Sequence, residues 1–166
     1  RGAVCDAARR GMPIYAECGG LMYLARDVTW RDQRASMCGV LPFGIEVGER
    51  PVGRGYMRLR ETGNAPWGPI ARNGAREVNA HEFHYSQVVG APRNLEFAYE
   101  VSRGFGVDGA NDGIVHGSVF ASYAHLRHTD ATPWAQNFVN WVRTSAAAVD
   151  MNDASTDSAT PEPIGH

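Results

Sequence analysis

The sequence is poor in the features that would assign its class at a glance. It has three cysteines in 166 residues, Cys5, Cys18 and Cys38. An odd count at wide spacing argues against a disulfide framework; reduced thiols are expected, and with them a cytoplasmic location. There is no Cys-x-x-Cys pair, so no structural zinc and no bound metal is expected. The formal net charge is −2 at pH 7. Without a basic excess to neutralise phosphates, nucleic acid is not an expected partner. No window approaches the run of about 18 apolar residues that a membrane span needs, so no membrane association is expected. A GxxxxGK[ST] run is also missing, so no nucleotide-phosphate loop is expected here.

What is present suits one α/β domain with its own core. Residues 3–10 read as the end of a helix capped by Gly11. Ile14–Glu17 reads as a strand and Gly19–Asp27 as a helix. Residues 31–55 are dense in Gly and Pro and read as loops. Residues 56–60, 77–88 and 95–101 read as strands, 64–74 as turns, and 113–123 as one or two strands near the core. Residues 132–149 form the strongest helix pattern, with Thr132 and Pro133 at its start. Trp134, Phe138, Trp141 and Val142 recur at its buried-face spacing. Residues 1–149 are therefore expected to form one domain and residues 150–166, small and polar, a disordered tail. Interleaved strands and helices favour α/β over a sandwich or a bundle. The chain opens at Arg1 within a helix-like run, which reads as a domain entered partway.

The segment Glu17-Cys18-Gly19-Gly20 joins a strand to a helix. A cysteine on such a turn is either a small buried hydrophobe or a nucleophile held at the sheet edge. Small residues after it let a substrate approach the backbone, and the first helical N–H groups can favour a thiolate and then an oxyanion. A nucleophilic cysteine needs a base. His81 and His84, in AHEFHYS, are one residue too close for the HExxH zinc pattern and face opposite sides of a strand. His116 can be a packed histidine. His125 and His128 follow a strand-like run, and on position alone His125 ranks first.

Three stretches taken together resemble one family. YAECGGLMYL (15–24), HEFHYS (81–86) and GSVFASYAHLRH (117–128) are similar to the glutaminase domain of the cobyrinic acid a,c-diamide synthase family, a CobB/CobQ-type class I glutamine amidotransferase. The likeness runs from about Gly11 to Val142 and includes GRGYMRLR (53–60). It implies a flavodoxin-like α/β fold that is N-terminally incomplete. It implies hydrolysis of L-glutamine, with the ammonia used to amidate the a and c side chains of cobyrinic or hydrogenobyrinic acid in cobalamin biosynthesis. ATP and Mg²⁺ are then implied for a separate synthetase domain; no cofactor is expected in this chain.

By this resemblance Cys18 is the nucleophile, His125 the base and Gly19 the oxyanion-hole donor. Gly20, His84, Tyr85 and Ser86 fall where glutamine is held, mostly by main-chain groups. Related amidotransferases acting on cobyric acid or lipid II, and an inactive truncated domain, are the alternatives. Many class I enzymes carry Glu two residues after the base. Here His125 is followed by Leu126 and Arg127, so that Glu is missing, and Glu82 and Asp130 are candidates for orienting His125 by residue type only. The family also has an upstream strand and loop that wall the pocket. With 17 residues before Cys18, weak activity is expected unless that part is restored.

Overall fold

The structure, a computed structural model, describes residues 1–71 and 77–156. Helix α1 (Gly2–Arg9) ends at Arg10, and Gly11 turns the chain at φ 78°, a left-handed value that glycine adopts without cost. Strand β1 (Ile14–Glu17) follows, then helix α2 (Gly19–Leu24). This helix stops three residues before the expected Asp27. Ala25 is extended (φ −61°, ψ 168°), and Arg26 N–H already bonds to Phe43 O at 2.8 Å.

The stretch 31–55, expected to be loops, instead holds parts of a four-stranded sheet in the order β3-β2-β4-β7. Its members are β2 (Asp27–Trp30), β3 (Gln33–Ser36), β4 (Gly44–Val47) and β7 (Ser86–Val89). Leu41, Phe43 and Ile45 alternate inward and are fully buried, which drives this segment to pack as sheet despite its Gly and Pro content. Asp27 accepts bonds from Arg26 (2.9 Å) and Arg34 (2.7 Å), and these guanidiniums hold its carboxyl below the usual range.

The larger sheet has seven strands in the order β1-β10-β9-β8-β5-β6-β11. Strands β5 (Gly53–Glu61), β6 (Glu77–His84), β8 (Glu96–Arg103), β9 (Asn111–His116), β10 (Val119–Ser122) and β11 (His125–Leu126) make up its antiparallel body. One pairing is parallel: β1 lies beside β10, with Glu17 opposite Ser122. The expected single strand 77–88 is two. The chain leaves the large sheet at His84, bends at Tyr85 and enters the small sheet at Ser86, so HEFHYS is the junction between the sheets.

Helix α3 (Trp134–Thr156) packs its aromatic face on the large sheet. Tyr15 stacks on Trp134 at 4.5 Å and on Phe120 at 5.4 Å, and Trp67 and Phe138 close the cluster. Offset aromatic pairs of this kind add about 0.5–1.5 kcal/mol each beyond burial. Val142, expected on the buried face, is exposed. The helix also runs seven residues past Val149, where the tail was expected to begin; once nucleated, a helix adds residues at little cost. Residues 157–166, the rest of that expected tail, and 72–76 lie outside the described residues.

Candidate active site

Because β1 and β10 run parallel, their carboxyl ends emerge side by side, the usual place for a site in an α/β sheet. Cys18 follows one strand end and Tyr123–His125 the other. Cys18 N–H still bonds to Ser122 O at 2.7 Å, and then the backbone turns sharply, with Cys18 at φ 48° and ψ −101°. A non-glycine residue in this region costs of order 1–3 kcal/mol and persists only where the surroundings impose it. The Cys18 side chain is half-buried at this turn. Its Sγ lies 4.0 Å from Phe83 O. Burial pushes the Cys18 thiol up, the Gly19 N–H pulls it back, and the Glu17 carboxylate pushes it up again. A proton acceptor must therefore come from elsewhere.

The two glycines after Cys18 differ. A Cβ on Gly20 would stand 3.2 Å from Ala16 Cβ, so this glycine lets the helix close onto its strand. A Cβ on Gly19 would meet nothing within 4 Å. Packing in the fold does not explain its small size.

His125 sits on the exposed face of β11, opposite His81 of β6. Its segment is tied at several points. Buried Asp112 accepts from Tyr123 N–H (3.1 Å) and Ala124 N–H (2.9 Å) as well as from Gly113 N–H (2.7 Å). Ser122 Oγ donates to Ala124 O (2.9 Å), and Trp134 Nε1 donates to Leu126 O (3.1 Å). Glu17, adjacent to Cys18, completes the set. Its Oε1 accepts from Leu126 N–H at 3.0 Å and from the Tyr15 hydroxyl, and its Oε2 lies 3.3 Å from His125 Nδ1. The sequence reading overlooked Glu17. The available signal was a carboxylate ending a core strand directly before the proposed nucleophile.

Glu82, one of the residues considered for orienting His125, is buried and occupied elsewhere. It accepts from Phe105 N–H (2.7 Å) and Gly106 N–H (2.9 Å) and faces His84 Nε2 at 3.3 Å. Burial alone would raise its pKa, but His84 and these N–H donors outweigh burial and hold it low. Among the hydrogen bonds of the described residues Asp130 makes none to His125.

The remaining expected positions divide by exposure. The His84 and Ser86 side chains are buried: His84 Nδ1 donates to Ser86 O (2.8 Å), and Ser86 Oγ pairs with Tyr123 Oη (2.9 Å). The main-chain oxygens of His84 and Tyr85 accept from Val52 N–H (2.9 Å) and Gly48 N–H (2.7 Å). The Tyr85 ring is exposed beside Phe83. Among the described residues no group of three or more His, Cys, Asp or Glu side chains converges on a cation position. No described helix is long and apolar enough to cross a membrane.

Comparison with known proteins identifies the family. Residues 1–133 match the family model for the CobB/CobQ-like glutamine amidotransferase domain. Cobyrinate a,c-diamide synthase of Magnetococcus marinus is 47% identical over 125 residues, covering 75% of this chain and 26% of that protein. Cobyrinate a,c-diamide synthase of Syntrophotalea carbinolica is 36% identical over 146 residues, covering 86% and 31%. The chain thus spans about a quarter to a third of the length of the curated relatives it matches. Among solved structures, PurLQS from Thermotoga maritima aligns at TM-score 0.58 and 14% identity, covering 86% of this chain and 66% of that one. A glutamine amidotransferase from the same organism aligns at 0.51 and 14%, covering 92% and 54%. At that identity the likeness concerns the fold.

Proposed function

The chain belongs to the CobB/CobQ-like glutamine amidotransferase family, and on that premise we propose that it releases ammonia from L-glutamine, with Cys18 as nucleophile and His125 as base. The observation that carries this reading is the pair of parallel strand ends. Cys18 leaves one of these ends on a strained turn, and Glu17 just before it reaches across to His125 Nδ1 at 3.3 Å, three residues beyond the other end.

The Sγ–H proton passes to His125, and the thiolate attacks the side-chain amide carbon of glutamine. The carbonyl oxygen becomes an oxyanion toward which the Gly19 N–H can donate. The protonated His125 then delivers its proton to the departing nitrogen, which leaves as ammonia, and a glutamyl thioester remains on Cys18. Water, losing a proton to His125, hydrolyses the thioester to glutamate and restores the thiol. By the resemblance Gly20, His84, Tyr85 and Ser86 would hold the glutamine. Tyr85 offers an exposed ring, and the buried His84 and Ser86 set its backbone.

The relatives' names extend the proposal. The ammonia would amidate the a and c carboxylates of cobyrinic or hydrogenobyrinic acid, in a portion of the longer proteins that lies outside the matched region. ATP and Mg²⁺ belong with that portion. This chain contains no lysine, so it cannot supply the lysine of a phosphate loop.

A chimera tests whether this chain supplies ammonia from glutamine. This chain would replace the matching region of the Magnetococcus marinus synthase, and the product would be assayed on cobyrinic acid. Glutamine should support amidation, and Cys18→Ser should abolish that while ammonia still works. Ammonia-supported amidation with no response to glutamine would contradict the proposal.

A further inference from the structure

The sequence lacks a carboxylate two residues beyond His125, yet His125 is not left unoriented. We propose that Glu17, the residue immediately before Cys18, is the positioning residue that holds His125 ready to accept the Cys18 proton. This rests on the reading of Cys18 and His125 as nucleophile and base.

The carboxylate itself is held from several sides. Oε1 takes two donors, the Tyr15 hydroxyl and Leu126 N–H, the latter at 3.0 Å. That leaves Oε2 toward His125 Nδ1, at 3.3 Å. Tyr15 is in turn clamped between Trp134 and Phe120, so its hydroxyl cannot swing away. The Glu17–Leu126 bond spans the backbone of β11 itself. The carboxylate therefore fixes both the ring and the strand that carries it.

The consequence is a defined tautomer. A carboxylate is acceptor-only, so the nitrogen facing it must carry the proton. Nδ1–H then donates to Glu17, and Nε2 keeps its lone pair for the thiol proton. When Sγ–H breaks and Nε2–H forms, the imidazolium stands against a fixed negative charge. The role parallels that of the acid in a nucleophile–base–acid triad, but the acid comes from the nucleophile's own strand. Glutamine cannot replace it. All three partners of Glu17 are donors, and an amide offers one acceptor atom. In Glu17→Gln either His125 Nδ1–H or the Leu126 and Tyr15 donors must face an NH₂ group.

The tautomer and the thiol reactivity can be read without any glutamine turnover. In the ¹⁵N-labelled chain at pH 8, where an ordinary imidazole is neutral, His125 should show a protonated Nδ1 and an unprotonated Nε2. His125→Gln assigns the signals. Glu17→Gln should convert this to a tautomer mixture and slow iodoacetamide alkylation of Cys18 by at least about tenfold. Tyr15→Phe, which removes one donor but keeps the carboxylate, should preserve the tautomer. An unprotonated Nδ1 in the unaltered chain would overturn the proposal even if the variant failed to fold. So would unchanged tautomer and alkylation in a folded Glu17→Gln chain. These signatures in a chain whose chimera with the Magnetococcus marinus synthase shows no glutamine-dependent amidation would support the positioning role and defeat the glutaminase reading.

Discussion

The imidazole of His84 lies flat on the ring of Tyr123, with centroids 3.8 Å apart and planes within 11°. This contact joins the HEFHYS junction to the segment that carries His125, two residues further on. Gly53 is the strand residue that makes room for it. A Cβ there would stand 2.3 Å from His84 Nε2 and 2.4 Å from Glu82 Oε2.

Gly53→Ala is therefore expected to destabilise the domain by roughly 1–3 kcal/mol, the usual range for overpacking a closed core. Neither neighbour can retreat cheaply, because Glu82 is held by two backbone N–H groups and His84 by Ser86 O. Urea unfolding should show a lower midpoint at unchanged slope. A midpoint equal to that of the parent would contradict this packing account.

Asp112 gives the stability a pH dependence of defined sign. Full burial pushes its pKa up to about 6, against the pull of the Gly113, Tyr123 and Ala124 N–H donors. An unfolded Asp titrates near 3.9. The folded state therefore holds the proton more tightly, and its advantage falls as pH rises from about 4 to about 6. The loss is on the order of 3 kcal/mol and is complete above that window. Asp112→Asn removes this titration. The stability of the parent minus that of Asp112→Asn should drop across this window and then flatten. A difference that stays flat, or that rises with pH, would refute the assignment.

Gly19 separates the demands of fold and substrate. Alanine there meets no atom within 4 Å, and α2 does not need a left-handed residue at this position. Gly19→Ala should leave stability unchanged or raise it by up to about 1 kcal/mol. It should slow labelling of Cys18 by a glutamine-derived chloroketone at least about tenfold while sparing labelling by iodoacetamide. Equal effects on the two reagents would mean that the open space before Gly19 is not the substrate's.

Much of the candidate site was legible because it rests on local chemistry. Cys18 declares itself through the strand before it and the glycines after it, and His125 through the strand-like run that precedes it. Glu17 was not legible. Its partner lies 108 residues away, and only the parallel pairing of β1 with β10 brings the two together. The burial of His84 and Ser86 was hidden for a related reason. Strand alternation puts His84 opposite His81, but which face is inside depends on the other strands. The small sheet was missed because Pro42 and Gly44 interrupt the alternation of Leu41, Phe43 and Ile45, and pairing with β7, far along the chain, supplies what local propensity lacks.

The central claim is that Cys18, alone of the three cysteines, is an activated nucleophile in a glutamine site. Cys5 is half-buried, with its thiol on Cys38 O, and Cys38 is buried, with burial and the neighbouring Cys5 raising its thiol pKa. The most direct measurement is reaction of the chain with the glutamine-derived chloroketone, followed by mass-spectrometric mapping with and without competing L-glutamine. The account predicts one modified residue, Cys18, protected by glutamine and lost in Cys18→Ser. Modification of Cys5 or Cys38, or labelling of Cys18 that glutamine does not slow, would contradict it.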